Sequence, residues 1–103
     1  MTTELLGAID RASVLLKALS GRSRLMILCH LQDGEKQVAE LVRLTGARDT
    51  VVSQQLALLR REHVVRARRQ GQRIFYSLAS EDAARLLKTV HALFCREARP
   101  RHP

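Results

Sequence analysis

The chain has no tryptophan, and one tyrosine with two phenylalanines makes aromatics only 3% of its 103 residues. Readers of single-stranded nucleic acid usually stack bases on aromatic rings, so an RNA-binding or architectural module is disfavoured. With 46% hydrophobic residues and so few rings, Leu, Val and Ala must do most of the packing, which suits helices better than sheets. No apolar run approaches the roughly 18 residues that span a bilayer, and Met1 to Leu5 lack the basic stretch of a secretory leader. The expectation is a cytoplasmic protein with no membrane partner. There is no Cys-x-x-Cys pair, no Gly-rich anion loop beside either cysteine and no acid/base grouping. A thiol enzyme, such as a sulfur transferase, is therefore unsupported.

Negative charge is scarce as well, with ten acids against 18 basic residues and a net charge of +8. Fifteen of the 18 are arginine, whose planar fork matches phosphate oxygens better than an ammonium does. Residues 1 to 47 hold six Lys or Arg against five acids, whereas 48 to 73 hold seven Arg against two. A positive region this local is what a surface docking a polyanion would have. The length fits one domain. Residues 1–98 are expected to form it, and the basic tail 99–103 to be disordered.

Leu5, Ala8, Ile9, Ala12, Leu15, Leu16 and Leu19 recur at helical spacing, which predicts an amphipathic helix over 4–19 behind Thr2 or Thr3 as N-cap. Ser20 is expected to cap a second helix, about 22–32, that stops at Asp33-Gly34. A third is expected over 38–45, ending at Gly46. Asp49 is expected to cap a fourth, about 50–61, burying Val52, Leu56 and Leu59 and leaving Thr50, Ser53, Gln54 and Ala57 outward. The period then changes: Val64–Arg69 and Gln72–Leu78 read as strands around a Gln70-Gly71 turn. Ser80 caps a last helix, about 81–97, with Glu81 and Asp82 in its first turn. The fold class is mainly α with a β-hairpin wing, in the order helix, helix, helix, helix, hairpin, helix.

Two helices joined by a short turn at Gly46, the second with small polar side chains outward, have helix-turn-helix spacing. Hydroxyls can bond phosphates or bases, and a Gln amide matches the N6 and N7 edge of adenine. A polar stripe is by itself more often a solvated face. Here it is followed by Arg60, Arg61, Arg66, Arg68, Arg69 and Arg73, six arginines in 14 residues opposed only by Glu62. Such a hairpin can lie along the flanking backbone or minor groove of a duplex. The candidate DNA contacts are Arg48, Thr50, Ser53, Gln54, Gln55 and Arg60, with Arg68, Arg69, Gln72 and Arg73 on the hairpin.

Arg24-Leu25-Met26-Ile27-Leu28, Val51-Val52-Ser53-Gln54-Gln55-Leu56 and Arg69-Gln70-Gly71-Gln72-Arg73-Ile74-Phe75-Tyr76 resemble the ArsR family of winged helix-turn-helix repressors, over residues 13 to 95. The resemblance implies a homodimer joined through its first and last helices, and a double-stranded operator with an inverted repeat read by the Ser-Gln helix. By position, Thr50, Ser53 and Gln54 inherit the groove contacts. Many members sense metals through a Cys-x-Cys in the third helix, where this chain has Glu35-Lys36-Gln37-Val38-Ala39-Glu40-Leu41. On the last helix only Asp82, His91 and Glu97 are present, without the ligand spacing of the other common metal site. No metal and no cofactor are expected. Gly21-Arg22-Ser23 stands where a Pro often opens the second helix, and His63 where the family usually has Gly; a left-handed conformation is tolerable for His63 at some cost relative to Gly.

Cys29 on the second helix and Cys95 near the end of the last resemble the dithiol, persulfide-sensing subgroup, the BigR or SqrR type. The resemblance implies a repressor in which reactive sulfur species join the two cysteines through a disulfide or polysulfide and release the operator. Taken alone, Cys29 between Leu28 and Leu31 reads as a small core residue, and His91, four positions before Cys95 on one helical face, permits a metal pair or a group that lowers the thiol pKa but reads more simply as a spectator. The alternatives are the same fold sensing zinc, peroxide or another electrophile, and a basic nucleic-acid module with no effector.

Overall fold

The computed structural model describes residues 1–95. The elements follow in the order α1 (Thr3–Leu19), α2 (Arg22–His30), α3 (Val38–Thr45), α4 (Asp49–Arg61), β1 (Val65–Gln70), β2 (Arg73–Leu78) and α5 (Glu81–Val90), continued by a π-helical segment, His91–Cys95. The winged helix-turn-helix architecture is the expected one. The tail 99–103 and Glu97 lie outside the described residues. Among the described residues no helix is long and apolar enough to cross a membrane.

One core holds these elements together: Ala18 and Leu19 from α1, Ile27, Leu28 and Leu31 from and just after α2, Leu41 from α3, Val52, Leu56 and Leu59 from α4, Val64 and Val65 at the wing's root, and Ala83 and Leu87 from α5. Every helix after α1 offers its apolar stripe to this cluster, as helical spacing requires. The first helix does not. Only its last turn is buried, and Leu5, Leu6, Ile9, Val14 and Leu16 stand in solvent.

Four local details differ from expectation, each for a physical reason. Ser20 does not cap α2; its Oγ donates to Lys17 O at 2.8 Å and closes α1, while Gly21, at φ 115°, takes the N-cap position in a backbone conformation that side chains disfavour. Asp49 is the first residue of α4 and not its cap. Arg48 holds the cap position with extended backbone, and Asp49 Oδ1 instead accepts from Ser53 Oγ at 3.3 Å. The hairpin turn is Gly71-Gln72, one residue later than Gln70-Gly71: Gln70 pairs with Arg73, and Gly71 supplies the positive φ, 63°, at the first central position of the two-residue loop. The last helix stops being α-helical at Val90. Ala83 and Leu87 are its last buried residues, and His91 to Phe94 are exposed, so no core contact enforces the 3.6-residue period there.

Thr2 and Ser80 cap as expected, accepting from Leu5 N at 3.1 Å and Ala83 N at 3.0 Å. His63 does adopt the left-handed conformation, at φ 63°.

Candidate nucleic-acid interface

The turn between α3 and α4 is built from side chain as well as backbone. Thr45 Oγ1 donates to Leu41 O at 2.7 Å and accepts from Ala47 N at 3.2 Å, while Gly46, at φ 72°, reverses the chain. The helix that follows is held by Val52, Leu56 and Leu59, all fully buried, so Thr50, Ser53, Gln54 and Ala57 face solvent along one stripe. Arg48 and Arg60 are exposed at its two ends. This is a helix face with short polar groups at its centre and cations at its margins, sized to enter a major groove.

Gln55 stands apart from that stripe. It is half-buried, and its Oε1 accepts from Arg24 Nε at 2.9 Å, which turns the amide toward α2.

In the wing, β1 and β2 run antiparallel with Arg66 opposite Ser77, Arg68 opposite Phe75 and Arg69 opposite Ile74. Alternation puts Arg66, Arg68 and Arg73 on one face and Arg69 on the other. Lys36 extends the sheet by one bridge, donating its N–H to Tyr76 O at 2.9 Å and accepting from Tyr76 N at 2.8 Å. Arg69, Gln72 and Arg73 are exposed around the tip, and among the described residues neither arginine has an intramolecular ion pair. Arg68 is committed instead: its Nε and Nη2 donate to the two carboxylate oxygens of Glu35, and its guanidinium lies 4.7 Å from the Phe75 ring centroid. The hydrogen bond from Arg68 holds the Glu35 carboxyl below its ordinary pKa and raises that of Arg68. Lys36 acts likewise on Asp33, through a 2.8 Å hydrogen bond.

Residues 21–67, from the start of α2 into β1, match the family described as bacterial regulatory protein, arsR family. Over 83 residues the chain is 43% identical to the biofilm growth-associated repressor of Agrobacterium fabrum, covering 81% of this chain and 71% of that protein. The chain belongs to the arsR family. It is thus a DNA-binding transcriptional regulator, and its named relatives are regulators. The transcriptional activator HlyU of Vibrio cholerae is 40% identical over 86 residues, 84% of this chain and 80% of HlyU. The structure described as reduced HlyU superposes with a TM-score of 0.86 at 37% identity, over 91% of this chain and 99% of that one. The homodimeric winged helix-turn-helix DNA-binding domain of a possible ArsR-family regulator from Mycobacterium bovis gives a TM-score of 0.76 at 32% identity, over 100% and 97%.

The remaining candidate residues of this arsR-family chain are on elements other than the reading helix. Cys29 is on α2, half-buried and packed against the core. Cys95 ends the π-helical segment that His91 begins, a stretch of wider i→i+5 turns. Among the described residues, no three His, Cys, Asp or Glu come together as metal ligands would.

Two residues were missed from sequence. Glu35 engages Arg68 across 33 positions and Arg24 engages Gln55 across 31, with Arg24 Nη1 also donating to Ala18 O at 3.2 Å and to Glu62 Oε2 at 3.4 Å. Helical spacing shows pairs three or four apart and gives no signal for pairs made by the fold.

Proposed function

We propose that the protein is a homodimeric repressor that reads an inverted-repeat operator and releases it when reactive sulfur joins Cys29 to Cys95. The observation that carries the DNA half is the exposed Thr50-Ser53-Gln54 stripe beside a wing tip whose Arg69 and Arg73 have no intramolecular ion pair among the described residues. In this reading Gln54 contacts a base edge, Thr50 and Ser53 contact bases or phosphates, and Arg48, Arg60, Arg69, Gln72 and Arg73 follow the backbone or minor groove.

The solvent-facing apolar stripe of α1, with Val14 66% exposed, and Phe94 64% exposed after α5 support a second copy as their cover. A dimer would set two reading helices against successive half-sites, about one helical turn apart. The homodimeric relative and the relative named as a repressor support both parts.

The sensing chemistry needs no cofactor. One thiolate attacks the outer sulfur of a persulfide, R–S–SH, forming Cys–S–SH and expelling RS⁻. The second thiolate then attacks the inner sulfur, closing the disulfide and expelling HS⁻. If it is itself first sulfurated in the same way, its attack leaves an extra sulfur in the bridge. The persulfide is the oxidant, and cellular thiols reverse the bridge. Joining α2, which packs beside the reading unit, to the segment after α5 would alter the spacing of the reading helices, and allosteric couplings of about 1–3 kcal/mol are typical.

The test exposes reduced protein separately to an organic persulfide and to hydrogen peroxide, then measures intact mass and affinity for an inverted-repeat duplex on the same samples. A Cys29–Cys95 bridge formed by persulfide, with weakened binding that Cys29→Ser abolishes, is the expected result. Unmodified thiols with unchanged affinity would overturn the sensing half. Equal affinity for random duplex would overturn operator reading.

A further inference from the structure

We infer that Arg68 is a positioning residue of the wing and not a phosphate contact: with Glu35 and Phe75 it braces the hairpin against the segment that leads into α3. The inference rests on the DNA-binding reading above. A two-stranded hairpin is at best marginally stable alone in water, so its angle to the reading helix must be set from outside. The main chain fixes one point, the Lys36–Tyr76 bridge partway along β2. Nearer the tip, β2 has no third strand beside it among the described residues.

Side chains fix the second point. The Arg68 guanidinium lies over the ring of Phe75, its partner across the strands, and reaches Glu35, the residue before Lys36. Nη2 donates to Glu35 Oε1 at 2.5 Å, Nε to Glu35 Oε2 at 3.1 Å and Nη1 to Gln70 Oε1 at 2.9 Å. Three of its five N–H donors and one face of the guanidinium are therefore in use. A bidentate fork sets orientation as well as proximity, and a cation over a ring restrains it further. Lys36 also pairs with Asp33, three positions before it, at 2.8 Å, which closes the segment that receives the brace on itself.

A phosphate could take the Nε/Nη2 fork of Arg68 only by displacing the Glu35 carboxylate, which leaves it single contacts from the terminal nitrogens. Neither Arg69 nor Arg73 has an ion pair to break among the described residues. The brace thus divides the wing's arginines: Arg68 sets the angle, and the tip meets DNA. Glu35, though negative and near a polyanion's path, then favours binding.

The test uses a duplex enriched by the wild-type protein from a randomised pool, with affinity measured against salt. E35Q and R68E are each expected to weaken binding about fivefold to tenfold, within the range of modest coupling. The slope of log affinity against log salt should stay at the wild-type value, because no phosphate contact is lost. The charge swap E35R/R68E should restore affinity to within about threefold, the signature of a pairwise interaction. R73A serves as the contrast, flattening the slope by about 0.9. Tighter binding by E35Q, or an unrescued swap with a flattened slope, would overturn the brace and make Arg68 a phosphate contact. If wild-type protein enriches no duplex, the DNA reading fails on its own account, and amide exchange decides the brace. Faster exchange across β1 and β2 in E35Q, recovered in the swap, supports it, and unchanged exchange overturns it.

Discussion

Arg24 on α2 donates its Nε–H to Gln55 Oε1 on α4 at 2.9 Å, and so ties the helix that carries Cys29 to the helix that presents the reading stripe. The same guanidinium reaches the last turn of α1 through Ala18 O and the end of α4 through Glu62. Three helices thus share one partly buried cation.

Replacing Arg24 by Met should therefore lower stability by about 1–3 kcal/mol, the usual loss for part-buried hydrogen bonds to a charged group. Urea unfolding would show it as a lower midpoint at an unchanged slope, since the surface exposed on unfolding is the same. An unchanged midpoint would mean that solvent replaces the three bonds without loss.

Gln54→Ala and Arg73→Ala should fail in different ways. Losing a bidentate amide at a base edge should weaken specific binding by about 1–3 kcal/mol and leave random duplex unaffected. Losing a tip arginine should weaken both duplexes alike and reduce the salt slope by about 0.9. Titrations of both duplexes at several salt concentrations separate the two.

His63 is the one described non-glycine residue with positive φ, at 63°. The left-handed region costs an ordinary side chain about 1–2 kcal/mol, and glycine gives back roughly 0.5–1 kcal/mol in chain entropy. His63→Gly should thus stabilise the fold by about 0.5–1 kcal/mol, whereas the β-branched His63→Val should destabilise it. Thermal unfolding of both variants checks the sign.

Acid should loosen the wing first. The folded-state pKa of Glu35 lies below its ordinary value because Arg68 donates to the carboxylate, so the unfolded chain binds more protons across that interval. The contribution is complete above the ordinary glutamate pKa and is lost as pH falls through the lowered value. Asp33 adds a change of the same sign through Lys36. The urea midpoint of E35Q should fall less steeply with acid than that of the wild type, and parallel curves would refute the linkage.

Leu56→Ala tests the core. The side chain is fully buried between α4 and its neighbours, and its truncation should cost about 2–5 kcal/mol. Circular dichroism at rising temperature would register a large fall in the midpoint or loss of the cooperative transition.

Periodicity alone determined the element order, because each of the helices after α1 has an apolar stripe that the core accepts and the hairpin carries glycine where the turn needs positive φ. Val52, Leu56 and Leu59 inward thereby put Thr50, Ser53 and Gln54 outward. Composition located the basic wing, and residue type before an apolar stripe identified the cap Ser80 and narrowed the first cap to Thr2 or Thr3, though it misplaced those of α2 and α4. Tertiary structure decided what each polar group does with its partners. Gln55 and Arg68 look like their outward neighbours in sequence, yet one is turned to Arg24 and the other clamped by Glu35, since contacts across more than 30 positions exist only after the chain has folded. It also decided that the stripe of α1 stays uncovered and that the last helix loosens into a π-helical segment beyond Val90, because a hydrophobic pattern states that a face will be buried and not by what.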